Sequence, residues 1–196
     1  MRKGKIVVIE GLDKAGKMTQ ANLLVSSLKR FGMVSVAMHF PDYTTPIGME
    51  IDAFLEGKRD YSNELKHMLM SANRWERKKE IESLVKTGTI VVINRYCQSN
   101  LVYGVSNGLG IDWLLNLDRG LPKEDIAIVL GISPSTAILR SEKLDLFERN
   151  EKLLLTANKN YIKLAREFNW QIINGSNSKE QVQNDILNLL KKEKII

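Results

Sequence analysis

A single cysteine, Cys97, leaves this chain of 196 residues without an intrachain disulfide and suits a reducing, cytoplasmic compartment. Its two histidines, His39 and His67, are too few and too far apart to suggest a metal centre. No Ser–His–Asp or Cys–His set points to covalent catalysis. No apolar run approaches the length that spans a bilayer, so no membrane partner is expected. The start Met1-Arg2-Lys3 is basic, but the apolar run behind it is short and ends at Glu10. It reads as a core strand rather than a signal peptide. Repeats, linkers and low-complexity tracts are lacking too, so one domain over residues 1–196 is expected.

What is present is ordinary for a globular protein: 43% hydrophobic and 27% charged residues. The excess of 29 Lys and Arg over 23 Asp and Glu gives a net charge of +6, which suits a polyanion such as a nucleotide or nucleic acid. The basic residues are spread out, with short clusters such as Arg77-Lys78-Lys79 and Lys191-Lys192. Aromatics do not alternate with them as a groove for single strands requires, so no nucleic-acid partner is expected.

The most informative stretch is Gly11-Leu12-Asp13-Lys14-Ala15-Gly16-Lys17, which follows the apolar run Ile6-Val7-Val8-Ile9. It reads as a strand turning into a helix through a phosphate loop of the G-x-x-x-x-G-K type. Its glycines let the backbone approach a ligand closely, and its amides and the helix start form an anion nest. Lys17 supplies a mobile cation for the β- and γ-phosphates. A hydroxyl residue for Mg²⁺ is wanted next, but Met18 stands there and Thr19 follows.

Apolar, β-branched runs recur at residues 6–9, 34–40, 89–93, 126–132 and 170–173. They lack period-two alternation, as strands buried on both faces of a parallel sheet do. Helical patterns lie between them at 17–30, 47–55, 62–86, 111–117, 134–140, 148–168 and 179–192. This alternation predicts a three-layer α/β/α fold, of the P-loop NTPase kind, around a five-stranded parallel sheet. Ligands in such folds sit beyond the carboxyl ends of the strands.

Those ends gather the phosphate loop, Phe40-Pro41-Asp42-Tyr43 and Asn94-Arg95-Tyr96, near a helix carrying Ser71-Ala72-Asn73-Arg74-Trp75-Glu76. Arg74 and Arg95 are the cations expected on a second phosphate, since guanidinium binds phosphate bidentately. The alternative for Arg74 is a surface ion pair with Glu76 or Glu80. Trp75 and Cys97 read as core residues. Phe40-Pro41 either ends a strand or walls a base pocket.

The series Glu10-Gly-Leu-Asp-Lys-Ala-Gly-Lys17, Phe40-Pro41, Ser71-Ala-Asn-Arg-Trp-Glu76, Asn94-Arg-Tyr96 and Gly120-Leu-Pro-Lys123 resembles the thymidylate kinase family over almost the whole chain. The resemblance implies transfer of a phosphoryl group from ATP, with Mg²⁺, to dTMP, by a homodimer. It implies that residues 11–19 hold the ATP phosphates and that Asp13 accepts a hydrogen bond from the deoxynucleotide 3′-hydroxyl. Lys14 would help on the transferred phosphoryl group, and Arg74 and Arg95 would hold the acceptor. Tyr103 would exclude a 2′-hydroxyl. Segment 140–150 would be a mobile lid carrying Arg140, Lys143, Glu148 and Arg149, and Asn174-Gly175-Ser176 would border adenine.

Four residues depart from that pattern. Met18 replaces the hydroxyl that ligates Mg²⁺, and Asn94 replaces the aspartate usual before Arg-Tyr. Met70 stands where an aromatic commonly stacks on thymine, and Tyr43 where many members have an arginine. Mg²⁺ held through water by Glu10 or Thr19, a slow enzyme, and a nucleotide-binding paralogue with altered base preference or weak catalysis are the readings left open. A basic nucleic-acid-binding domain is the reading from another class.

Overall fold

The computed structural model describes residues 3–140 and 151–196. Five strands alternate with the helices: β1 (Ile6–Glu10), β2 (Ser35–His39), β3 (Ile90–Asn94), β4 (Ile126–Gly131) and β5 (Gln171–Asn174). The helices are α1 (Lys17–Arg30), α2 (Pro46–Leu55), α3 (Asn63–Glu76), α4 (Lys78–Lys86), α5 (Cys97–Ser106), α6 (Ile111–Leu117), α7 (Pro134–Leu139), α8 (Glu151–Glu167) and α9 (Lys179–Lys192). Of the expected lid, only Arg140 lies among the described residues; Lys143, Glu148 and Arg149 fall outside them.

All strand pairs are parallel, in the order β2-β3-β1-β4-β5. The crossover from β1 to β2 runs toward one edge of the sheet, and the later ones run toward the other. Right-handed crossovers therefore put α1 on one face and the helices between β2 and β5 on the opposite face. α9 returns to pack beside α1. The reversal of direction falls at the carboxyl end of β1, where such folds leave a crevice for ligands.

Burial explains which strands were easy to recognise. β1 and β3 are buried throughout, and β4 at every residue but Gly131, consistent with unbroken β-branched runs. β2 and β5 are the edge strands and each keeps one face partly open. The pattern expected as one helix over 62–86 is two: Arg77 interrupts it, its N–H bonding back to the carbonyl of Arg74 at 3.1 Å. The guanidinium of Arg77 is drawn to Asp42 and Glu80 instead. α5 had no clear apolar period to announce it. Its start is held from a distance by Glu10 of β1, whose Oε1 accepts from the N–H groups of Tyr96 (2.7 Å) and Ser99 (3.1 Å).

Candidate active site

The phosphate loop leaves β1 at Gly11, whose φ of 133° and close approach to β4 both require glycine. A Cβ there would stand 2.6 Å from the Leu130 carbonyl oxygen. Gly16 caps α1 in the left-handed region, with φ 91°. Leu12 and Ala15 point into the core and anchor the loop. Lys17 is buried, and its Nζ donates to the Leu12 carbonyl at 2.7 Å and lies 3.6 Å from Asp13. Burial first, then the charge of Arg95, brings its ammonium down to about 8, against the pull of Asp13 and Glu10.

Arg95 stands immediately beyond β3 and crosses to Asp13, making a charge-assisted bond from Nη2 to Oδ1. Burial alone would raise the Asp13 carboxyl, but Arg95 and Lys17 hold it at about 2. The backbones of Lys14 (φ 61°) and Arg95 (φ 63°) are both left-handed. Such conformations cost non-glycine residues roughly 1–3 kcal/mol and concentrate at functional sites.

Two clefts meet at this ion pair. One is lined by Asp13, Lys14, Gly16, Lys17, Met18, Thr19, Asn94, Arg95 and Arg140, so the loop and its cations face a common space. The other, a more enclosed cleft, also has Asp13 and Arg95 in its wall. Phe40, Pro41, Tyr43, Met70, Arg74 and Tyr103 complete much of its lining, which brings together the residues expected to hold the acceptor. Phe40-Pro41 follows β2 and lines this cleft, with Phe40 packed on Tyr96 at 5.8 Å between ring centroids. The Arg95 guanidinium lies 5.8 Å over the Tyr103 ring.

Arg74 is only 3% exposed and is not the surface residue of the alternative reading. Its Nη2 donates to Asp118 at 2.9 and 2.8 Å and its Nε at 3.2 Å, so the partner is a buried carboxylate from beyond α6. That clamp fixes the guanidinium at the cleft wall. Trp75 is not core: it is 38% exposed, with its indole N–H on the Leu117 carbonyl at 2.9 Å. Cys97 fits its reading in part, being half-buried against the core, with burial pushing its thiol up.

Several site residues carried no signal in the sequence. Ser99 and Asn100 line the second cleft from α5, and His67 and Lys66 line it from α3. Asn107 Nδ2 faces His67 Nε2 at 3.3 Å, which makes that nitrogen the acceptor. His67 Nδ1–H therefore donates to Asn100 Oδ1 at 2.6 Å. Asn100 Nδ2 reaches back to the His67 carbonyl at 3.3 Å, so the carboxamide is oriented from both ends. Burial lowers the His67 pKa and favours this neutral ring.

Asn73 plays a similar part for the loop after β2. Its Oδ1 accepts from the Asp42 N–H at 2.7 Å, and its Nδ2 donates to the Asp42 carbonyl at 3.2 Å, Thr45 at 2.8 Å and Glu76 at 3.0 Å. This loop carries Phe40, Pro41 and Tyr43 to the cleft. Such polar, long-range contacts leave no periodicity to read.

Beyond β4 and β5 lies a third cleft, lined by Leu12, Gly131, Ser133, Asn174 and Ser176 among others. Asn174 Oδ1 accepts from the Ser176 N–H at 3.0 Å, tightening the turn after β5. Arg140 bridges toward this region, its Nη1 lying 3.4 Å from the carbonyls of both Lys14 and Gly175. The expected adenine-side residues thus lie together, next to the phosphate loop.

Positions 18 and 94 do not supply the hydroxyl and carboxylate oxygens that a directly ligated Mg²⁺ would take there. Met18 offers a thioether, a poor partner for so hard an ion, and Asn94 a neutral amide. Glu10 is a correction to the expected water-mediated ligand. Its carboxylate is fully buried, and besides capping α5 it accepts from Ser99 Oγ at 2.7 Å and Tyr161 Oη at 3.0 Å. Thr19 lines the phosphate cleft. No group of three or more His, Cys, Asp or Glu residues suited to a metal occurs among the described residues.

A family model described as thymidylate kinase matches residues 9–186. The thymidylate kinase of Plasmodium falciparum is 38% identical over 200 residues, covering 99% of this chain and 93% of its own. That of Danio rerio is 33% identical over 191 residues, covering 96% and 90%. Among solved structures, a thymidylate kinase from Candida albicans superposes with a TM-score of 0.87 at 27% identity, covering 98% of this chain and 93% of that one.

Proposed function

The chain belongs to the thymidylate kinase family, and from that premise we propose that ATP and dTMP lie end to end across its two clefts. The reaction is ATP + dTMP → ADP + dTDP. The observation that carries this reading is the Asp13–Arg95 pair, which forms part of the wall of both clefts. A γ-phosphoryl group on the loop and an acceptor phosphate would meet there.

Phosphoryl transfer asks a protein chiefly for alignment and positive charge on the equatorial oxygens. In the proposed scheme the loop amides and Lys17 hold the β- and γ-phosphates. Lys14 and Arg95 sit where charge develops on the transferred group. Asp13 accepts from the sugar 3′-hydroxyl, while Tyr103 fills the space that a 2′-hydroxyl would need. Arg74, fixed by Asp118, and Asn100, fixed by His67, face the base; Met70 and Phe40 give it apolar walls. Leu12, Asn174 and Ser176 border adenine. Mg²⁺ enters with the nucleotide, and no step here depends on a protein ligand to it. The acceptor oxygen attacks directly, so no covalent enzyme intermediate forms.

The chain is proposed to act as one kinase domain with segment 140–150 as its lid, in the cytoplasm, without nucleic acid. No helix among the described residues is long and apolar enough to cross a membrane. A homodimer is proposed through α2, α3 and α6, which leave Met49, Leu65, Met68 and Leu115 exposed. A paralogue with weak catalysis is not favoured, because the relatives matched over nearly the whole chain are thymidylate kinases.

The test is ADP release with ATP and dTMP, dUMP, dGMP or dCMP in turn. Turnover is expected with dTMP above the other three. ATP binding without turnover of any monophosphate would reject the assignment.

A further inference from the structure

The two departures from phosphate-loop chemistry touch one another. Asn94 ends β3, in register with Ile9 of β1, and its Nδ2 lies 4.0 Å from the Met18 sulfur. Met18 is 47% exposed at the start of α1, so its thioether borders the open cleft. Asn94 is only 8% exposed, and its Oδ1 has no hydrogen-bond partner among the described residues. A buried carbonyl oxygen left unpaired costs about 1–3 kcal/mol, so it marks a place kept for something the structure does not hold.

Charge tells what that is. The phosphate cleft is lined by Lys14, Lys17, Arg95 and Arg140 against a single carboxylate, Asp13, which Arg95 and Lys17 already neutralise. A carboxylate at position 94 would repel the phosphates unless a cation lay between; an amide does not. A hydroxyl at position 18 would hold that cation, and the thioether does not.

We infer that Met18 and Asn94 form one unit that frees nucleotide binding from Mg²⁺, the protein's cations doing the neutralising and Asn94 Oδ1 accepting from a phosphate-bound water. This rests on reading the cleft as the ATP-phosphate site. The ion then travels with the nucleotide and has almost no affinity for the protein itself.

Calorimetric titration of the wild-type chain with ATP, in excess MgCl₂ or in EDTA, tests this without turnover. The two dissociation constants should agree within about threefold, a difference of less than 1 kcal/mol. In the Met18→Ser/Asn94→Asp variant, removal of Mg²⁺ should weaken ATP binding by about tenfold or more, through the new carboxylate's repulsion. A wild-type constant that rises by about tenfold or more in EDTA would overturn the inference, whether or not the variant folds. A folded variant as indifferent to Mg²⁺ as the wild type would overturn the assignment to these two residues. No ATP binding in either buffer would instead remove the nucleotide-site reading, and the inference with it.

Discussion

Asp13 and Arg95 approach from different strand ends, β1 and β3, and their ion pair forms a shared wall between the phosphate cleft and the acceptor cleft. In the proposed scheme a group so placed acts on the transferred phosphoryl more than on either nucleotide at rest. Arg95→Ala should therefore lower kcat by about 100-fold or more, with smaller changes in KM for either substrate. Steady-state kinetics with both substrates varied checks this. A loss confined to the KM of dTMP would reduce Arg95 to a binding contact.

Lys17 gives a pH dependence with a definite sign. Its ordinary value of 10.5 falls to about 8 in the folded protein, so a fraction of the chains loses this proton above pH 8. Phosphates restore it, and nucleotide binding near pH 8.5 should take up about three-quarters of a proton. Titration in buffers of different ionisation enthalpy reads the uptake directly. In the free protein the unfolded chain holds the Lys17 proton more tightly, so this group's contribution to stability rises with pH between 8 and 10.5. Lys17→Met should abolish both effects.

Asp42 has the same sign in the acid range, where the stability it contributes also rises with pH. Burial would raise its carboxyl, but Thr44 and Arg77 bring it from 3.8 to about 2. The stability it contributes is complete above pH 4 and is lost as the pH falls toward 2. Arg77→Met should flatten that acid limb of a denaturation series, while Asn73→Ala should destabilise by about 1–3 kcal/mol and raise the KM for dTMP, because the same loop carries Phe40 and Pro41.

What could be read from the sequence follows the range of the interactions. The phosphate loop announces itself because its chemistry is local: glycines at fixed spacing, a lysine and a preceding apolar strand. The central strands were legible because burial on both faces leaves unbroken apolar runs, as in Val91-Val92-Ile93. The start of α5 was not, since the carboxylate that caps it, Glu10, lies 86 residues from Tyr96. Asp118 and His67 escaped for the same reason; each matters through a partner distant in sequence. Trp75 was misread because hydrophobicity says nothing of which helix face meets the core.

His67 is expected to position Asn100 rather than touch the reacting atoms. His67→Ala should raise the KM for dTMP by about tenfold, the loss of one buried hydrogen bond, while kcat stays within about threefold. Asn100→Ala should give a similar change, and the double variant little more than either, since the two act as one unit. Additive losses would show that His67 meets the base independently.

End-to-end placement of the two nucleotides is tested most directly with adenosine and thymidine joined 5′ to 5′ through a chain of five phosphates. If the clefts meet at Asp13 and Arg95, this compound should bind about 100-fold or more tightly than ATP or dTMP alone, since one ligand pays the association cost once. Arg95→Ala should remove most of that gain. Binding no tighter than that of either nucleotide would contradict the account.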